Sequence, residues 1–220
     1  MLKLLGFPAS NYYNMVKMAL MEKGAEYEDV RVYSGSSDEF LAKSAMGKVP
    51  ALETSQGSLS ETSVILDYIE DTVEGPSFYP ADPYERARAR ELVKFSELYL
   101  ELPARRCFGE AFFGTGPVSQ EVKDSVRPVI EKGCAAIKRR GRFSPYLAGD
   151  EITYADMVFL HSFPMAQGVA KIVFDWDLFE DLPEAAALLE LLNERPTVKT
   201  IVADTAEGMK AFRKNYGMKD

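Results

Sequence analysis

Residues 75–83 read Gly-Pro-Ser-Phe-Tyr-Pro-Ala-Asp-Pro, three prolines and a glycine within nine positions. Proline has no backbone donor and holds φ near −65°, so neither a helix interior nor a central strand runs through such a stretch. The chain must complete one set of elements before it and begin another after it. The hydrophobic period also changes across it, which makes 76–83 a linker between a segment 1–75 and a segment 84–220.

Before the linker the pattern alternates. Residues 2–7 form a short apolar run that ends at Pro8, as a buried strand does. Residues 12–23 carry apolar side chains at helical spacing, with Gly24 placed for a left-handed cap. Val30 and Val32 suggest a second strand, and 36–43 a weak helix. Residues 50–54 and 58–60 read as a hairpin turning through Gln56-Gly57, and 62–72 as a helix with one apolar face. The expected order is β-α-β-α-β-β-α. After the linker no strand is expected. A long helix over 84–113, kinked or interrupted at Pro103, is followed by helices over 119–140, 153–173, 183–194 and 196–214. The fold class is a small α/β domain followed by a larger all-helical one.

Composition narrows the function. The 220 residues include 34 Asp and Glu against 26 Lys and Arg, a formal charge of −8, with no local basic patch. Such a chain is a poor binder of phosphate backbones or anionic lipid, so neither nucleic acid nor membrane is expected as a partner. One histidine and two unpatterned cysteines, Cys107 and Cys134, do not make a four-ligand zinc site, so no metal is expected. No signal peptide is read at the start, and no apolar run approaches the roughly 20 residues of a bilayer span. A cytoplasmic protein is expected.

Three segments carry candidate chemistry, and one carries structure. In 152–157, Thr153 is a helix N-cap and Asp156, three residues on, reaches back to it, with Ile152 and Met157 placed as a hydrophobic staple. That carboxylate is read as a cap rather than an acid catalyst. His161 and Trp176 are read as core and packing residues, and Arg105 and Arg106 as facing either an acidic substrate or water. Pro50 heads a predicted strand, where a trans bond is the default; a cis bond there would expose the backbone of Val49 to an extended ligand. Glu61 and Thr62 stand at the head of a predicted helix, where free N–H groups favour a carboxylate and Glu61 suits an ammonium group. Ser10 stands before the first helix, either as a cap or as a hydrogen-bond donor to a thiolate.

The order and spacing of these segments resemble the cytosolic glutathione transferases over essentially the whole chain. The resemblance rests on Ser10 after the first strand, Lys48-Val49-Pro50, Glu61-Thr62, the run 82–90 (Asp-Pro-Tyr-Glu-Arg-Ala-Arg-Ala-Arg) and Ala148-Gly149-Asp150 ahead of 152–156. It implies an α/β thioredoxin-like N-terminal domain that binds glutathione, an all-α C-terminal domain that binds the second substrate, and a homodimer. Pro50 would then be cis, and Val49 would pair through its backbone with the cysteinyl part of glutathione. Lys48 would meet the glycyl end, and Glu61 and Thr62 the γ-glutamyl ammonium and carboxylate. Ser10 would be the thiolate-stabilising serine of the serine-type classes. The tyrosine of other classes would fall at about Gly6, so it is absent unless Tyr12 or Tyr13 replaces it. No cysteine stands at the Ser10 position, which argues against a thiol-transferase. Ser44-Ala45 replaces a commonly seen Asn-Pro.

On this resemblance the expected reaction is conjugation of the glutathione thiolate to small hydrophobic electrophiles, with detoxification as the setting. The apolar wall is expected around Phe108, Phe112 and Phe113, with Tyr12 above the thiol. The alternatives are glutathione-dependent peroxide reduction or isomerisation, or a non-catalytic glutathione-binding protein. A free thiol has a pKa of about 8.5, and lowering it by two units requires about 2.7 kcal/mol of differential stabilisation.

Overall fold

The structure, a computed structural model, describes residues 1–215. By their contacts these form two units: residues 1–78 together with the chain from 194 onward, and residues 79–193. The sequence places everything from 84 onward in one helical domain. The contacts instead group the last helix with the sheet, because a helix's apolar period shows that it has a buried face without showing what covers that face.

In the first unit, β1 (Leu2–Gly6), β2 (Tyr27–Arg31), β3 (Ala51–Thr54) and β4 (Gly57–Ser60) form one sheet in the order β2-β1-β3-β4. β1 pairs parallel to β2, and β1–β3 and β3–β4 pair antiparallel. The parallel pair requires a crossover helix, supplied by α1 (Asn11–Glu22). Side chains alternate across the pleat. Leu5 and Ala51 face Phe40 of α2 (Asp38–Leu41) together with Val30, Val32 and Val49. Leu4 and Leu52, paired with each other, face the other way and are fully buried. α1 and α3 (Thr62–Thr72) pack on one another and against the sheet.

The β-β turn falls one residue earlier than expected. Thr54 pairs with Gly57, so Ser55 and Gln56 make the turn. The Thr54 hydroxyl accepts from Gln56 N–H (3.0 Å) and donates to the Gly57 carbonyl (2.9 Å), closing the loop locally. Gly24 does take a left-handed φ of 67° past α1. The last helix among the described residues, α11 (Pro196–Asn215), packs on α1.

The second unit holds α4 (Pro83–Ser96), a π-helical turn over Glu97–Glu101, α5 (Leu102–Arg105), α6 (Phe108–Phe112), α7 (Gln120–Arg140), α8 (Tyr154–Phe174), α9 (Leu178–Asp181) and α10 (Glu184–Asn193). The interruption expected at Pro103 is displaced to either side of it. The chain widens into the π turn just before the proline and leaves the helix only after Arg105. Pro103 cannot donate to the carbonyl of Tyr99, and a wider turn lessens the clash of its ring with that carbonyl. Gly133 of α7 meets the helix there: a Cβ at Gly133 would lie 2.6 Å from the Tyr99 carbonyl oxygen.

α8 departs from the expectation of no long apolar run. Among the described residues it is the one helix long and apolar enough to pass as a membrane span by length and composition. Its best 18-residue window has a mean hydropathy of 1.3 and is 56% buried within the protein, which is how a central core helix reads. Phe159 and Phe163 stack within it, their ring centres 5.0 Å apart.

Candidate functional site

The register of the sheet decides which residues can meet. Leu5 of β1 lies opposite Ala51 of β3, and Ala51 opposite Ser60 of β4. The C-terminal end of β1, the N-terminal end of β3 and the C-terminal end of β4 are therefore the same end of the sheet. Residues 7–10 leave β1 there, 48–50 enter β3 there, and Glu61-Thr62 leave β4 there. The N-termini of α1 and α3 follow directly on two of these exits. The topology thus brings Ser10, Lys48, Val49, Pro50, Glu61 and Thr62 to one edge of the first unit.

Ser10 is the N-cap of α1, with extended backbone (φ −87°, ψ 116°). Its Oγ accepts from the Tyr13 N–H at 3.3 Å, and its own N–H donates to the Phe7 carbonyl at 3.0 Å. Capping uses an oxygen lone pair, so the hydroxyl proton remains available to a ligand. The two readings of Ser10, cap and donor, are compatible. α1 has no acidic residue in its first turn, so the positive end of its dipole is not offset there.

The Val49–Pro50 bond is cis. Lys48 is exposed, Val49 half-buried and Pro50 buried. Their approach is held by Ser44, a fully buried residue that the sequence reading treats only as a departure from Asn-Pro. The Ser44 Oγ donates to the Lys48 carbonyl (2.7 Å) and accepts from the Lys48 N–H (3.1 Å). Gly47, at φ 62°, is required beside it: a Cβ there would stand 2.2 Å from the Gly35 carbonyl oxygen. A small hydroxyl residue four positions before an expected ligand-binding lysine is the signal that would have found Ser44.

Glu61 has φ 71° and ψ 115°, outside the regions that L-residues populate readily, and caps α3 without a side-chain cap bond. Its side chain is exposed, whereas Thr62 is buried. A strained non-glycine residue at a sheet end and helix start motivates a functional reading.

Packing bears on one of the two tyrosine alternatives, Tyr13. Tyr13 is fully buried and its hydroxyl donates to Asp29 at 2.6 Å. Burial first, and then the Asp29 carboxylate, hold that phenol well above its usual range. A side chain at position 6 is excluded too, because a Cβ on Gly6 would fall 2.4 Å from the Tyr13 ring. Tyr12 lies in α1, half-buried.

Phe108, Phe112 and Phe113 form one aromatic cluster within the second unit. Ring centres of Phe108 and Phe112 are 5.1 Å apart, those of Phe108 and Phe113 6.5 Å, both edge-on. The Arg105 guanidinium lies over the Phe108 ring at 4.9 Å and pairs with the fully buried carboxylate of Glu101. Arg105 is thus committed to a protein partner, and Arg106 donates to Ser125 Oγ at 2.8 Å.

Asp156, His161, Trp176 and the two cysteines are buried or bonded within the protein. Asp156 completes a capping box with Thr153 and also accepts from the Leu147 N–H at 2.6 Å. Desolvation outweighs these bonds and pushes its carboxyl up to about 6. Burial lowers His161 to about 4, so its imidazole is neutral at pH 7. Trp176 donates to Asp181 at 2.7 Å and lies under Arg127. Cys107 and Cys134 are buried free thiols whose pKa values burial raises, that of Cys134 to about 12. Burial thus disfavours the thiolate form of both.

Comparison with known proteins finds relatives along most of the chain. Residues 4–77 match the glutathione S-transferase N-terminal domain family, and residues 119–204 the glutathione S-transferase C-terminal domain family. The chain is 51% identical over 212 residues to a glutathione S-transferase of Pseudomonas putida, covering 96% of each. It is 29% identical over 215 residues to glutathione S-transferase U17 of Arabidopsis thaliana, covering 93% of this chain and 91% of that one. Among solved structures, glutathione transferase F2 from Populus trichocarpa shares the fold with a TM-score of 0.79 at 21% identity, over 94% of this chain and 100% of that one.

Proposed function

The chain belongs to the glutathione S-transferase family, and from that premise we propose how its own residues carry the transfer. Glutathione lies along the sheet end of the first unit. The γ-glutamyl carboxylate meets the N-terminus of α3 at Thr62, where uncompensated N–H groups and the helix dipole favour an anion. Its ammonium group meets the Glu61 carboxylate. The cysteinyl backbone pairs with Val49, as Pro50 turns the chain into β3, and Lys48 faces the glycyl carboxylate. This leaves the sulfur beside Ser10.

Mechanistically the task is to keep that sulfur ionised. The Ser10 hydroxyl donates to the thiolate, and the unopposed N-terminus of α1 adds a favourable field. Together these are of the order of the about 2.7 kcal/mol that a two-unit lowering requires. The thiolate then attacks an electrophilic carbon, forming a C–S bond while the leaving group departs with its electron pair, or an activated double bond takes up the charge and then a proton. The electrophile is a small hydrophobic molecule. The observation that carries this reading is the convergence of Ser10, Val49–Pro50 and the strained Glu61 at one sheet end. The chain carries −8 overall, so an anionic tripeptide is bound through Lys48 and two helix N-termini against the global field.

The active form is proposed to be a homodimer, with the exposed apolar side chains Met46 (66%) and Val64 (49%) of the first unit among those a partner would cover. Two free buried thiols suit a reducing cytoplasm, and detoxification is the setting proposed. Conjugation of a chlorinated dinitroaromatic, assayed beside reduction of a hydroperoxide, tests the reaction: conjugation dominating supports it, and peroxide turnover alone refutes it. Glu61→Ala is expected to raise the KM for glutathione about tenfold with kcat little changed.

A further inference from the structure

The turn that carries Ser10 is held from outside the sheet. Asn14, 4% exposed, donates from Nδ2 to the Pro8 carbonyl (2.9 Å) and to the Thr205 Oγ1 (3.0 Å). Both amide protons are thereby used, and the carbonyl partner can only accept, which settles the orientation of the amide. Thr205 spends its own proton on the Ile201 carbonyl of α11 (2.7 Å), leaving a lone pair for Asn14. One turn further on, Gly208 brings α11 against the same turn: a Cβ there would stand 2.8 Å from Pro8 Cβ and 3.1 Å from the Ala9 nitrogen. Phe212 then stacks on Phe7, ring centres 5.5 Å apart and planes at 12°. On the α1 side Lys17 bonds Asp204 at 2.7 Å.

Positions 201, 204, 205, 208 and 212 recur at helical spacing, so one face of α11 addresses Phe7, Pro8, Asn14 and Lys17. This seam is not a continuous apolar wall. A polar cavity of about 300 Å³ opens along it, lined by Lys17, Arg31 and Asp204 as well as Pro8 and Gly208. The contacts are therefore few and specific. A glycine inside a helix costs stability relative to alanine, and the space at Gly208 shows what is gained: approach to the backbone of the turn.

We propose that α11 is a mount for the Ser10 turn, and that Asn14, Thr205 and Gly208 are positioning residues that set the Ser10 hydroxyl against the glutathione sulfur. The proposal rests on Ser10 being the thiolate donor. Asn14 carries the coupling, because a single amide ties the Pro8 carbonyl, two residues from Ser10, to a side chain on α11. Release of that tie lets the turn shift relative to α1. Thiolate stabilisation then weakens while the glutamyl subsite at α3, remote from the seam in sequence and held by β4, is unaffected.

The test measures the pKa of the enzyme-bound glutathione thiol from its ultraviolet thiolate absorbance, with kcat and KM for conjugation, in the full-length protein. Thr205→Val, which keeps shape and removes the acceptor, is expected to raise the bound thiol's pKa by about half a unit and lower kcat about threefold, with KM for glutathione unchanged. Thr205→Ser restores both. Gly208→Ala pushes α11 off the turn and is expected to lower kcat about tenfold. A Thr205→Val protein that folds and binds glutathione but keeps the original thiol pKa overturns the mount. Ser10→Ala run in parallel separates the two ideas: if it raises the thiol pKa and Thr205→Val does not, only the mount fails. If Ser10→Ala leaves the thiol pKa unchanged, the role of Ser10 fails and the mount falls with it.

Discussion

Among the helices that begin with a hydroxyl N-cap, α1 and α8 use it in opposite ways. At α8, Thr153 is answered three residues on by Asp156, whose carboxylate returns to the Thr153 N–H at 2.8 Å and its hydroxyl at 3.0 Å, all of it buried. At α1, Ser10 is followed three residues on by Tyr13, whose side chain turns away into the core to Asp29. That cap is a single 3.3 Å bond on a half-exposed residue. A closed cap spends every donor on structure. An open one leaves a hydroxyl proton and a helix dipole for a ligand. The residue at the third helical position decides which of the two a serine or threonine becomes.

The contrast breaks most visibly at the closed cap. Asp156→Ala strands three buried donors and is expected to cost about 3–4 kcal/mol of stability, read from the denaturation midpoint, with glutathione affinity of the folded protein unchanged. A smaller loss would mean that water replaces the carboxylate. The pH dependence separates two groups on α8. The Asp156 carboxyl is raised from 3.8 to about 6, so its contribution is fully present below about pH 4 and is lost as pH rises through 6. Asp156→Asn should therefore fall further behind the native protein as pH drops from 7 to 4, by up to about 3 kcal/mol. His161 works the other way. Its depressed pKa means that the unfolded chain takes up a proton first, so stability falls as pH drops from about 6.5 towards 4, and His161→Gln should flatten that slope.

At the open cap the effect moves from stability to chemistry. Ser10→Ala is expected to lower kcat/KM about a hundredfold and raise the bound thiol's pKa. The cap bond it removes should cost only about 0.5–1 kcal/mol of stability. The smallest change sharpens the comparison most. Asn11→Asp places a carboxylate in the first turn of α1, which should stabilise the helix by about 0.5 kcal/mol yet raise the thiol's pKa by a few tenths of a unit. A thiol that does not respond would show that the α1 dipole plays no part in its ionisation.

Much of the fold was legible because periodicity and caps are local. The strands, most helices and the capping box at Thr153 follow from residues within a turn or two of one another. The π turn before Pro103 was less so, since proline signals a break without saying where the neighbouring helix lets it be absorbed. At the candidate site, Ser10, Val49, Pro50, Glu61 and Thr62 were legible as a spaced set through resemblance, while their individual motifs stayed ambiguous. Ser44 was read as a mere departure, because a hydrogen bond to the backbone four residues on leaves no hydrophobic pattern. Arg105, open between substrate and solvent in the sequence, is taken up by Glu101 and Phe108, a pairing across one helical turn that sequence allows but does not compel.

By itself the chain determined most of the elements it makes and their order: alternating periods before residue 75, helical periods after 83, and proline and glycine between. These depend on backbone sterics and near-neighbour bonds, which a sequence states directly. Only the tertiary structure decided which ends meet and which helix serves which unit. The sheet register gathered three separated segments at one edge. Close packing against Tyr13 left no room for a side chain at Gly6. The glycine at 208 let the last helix return to the turn that begins the first. Such choices turn on volume and hydrogen-bond partners between residues nearly two hundred positions apart, as Asn14 and Thr205 are. No local pattern encodes that distance.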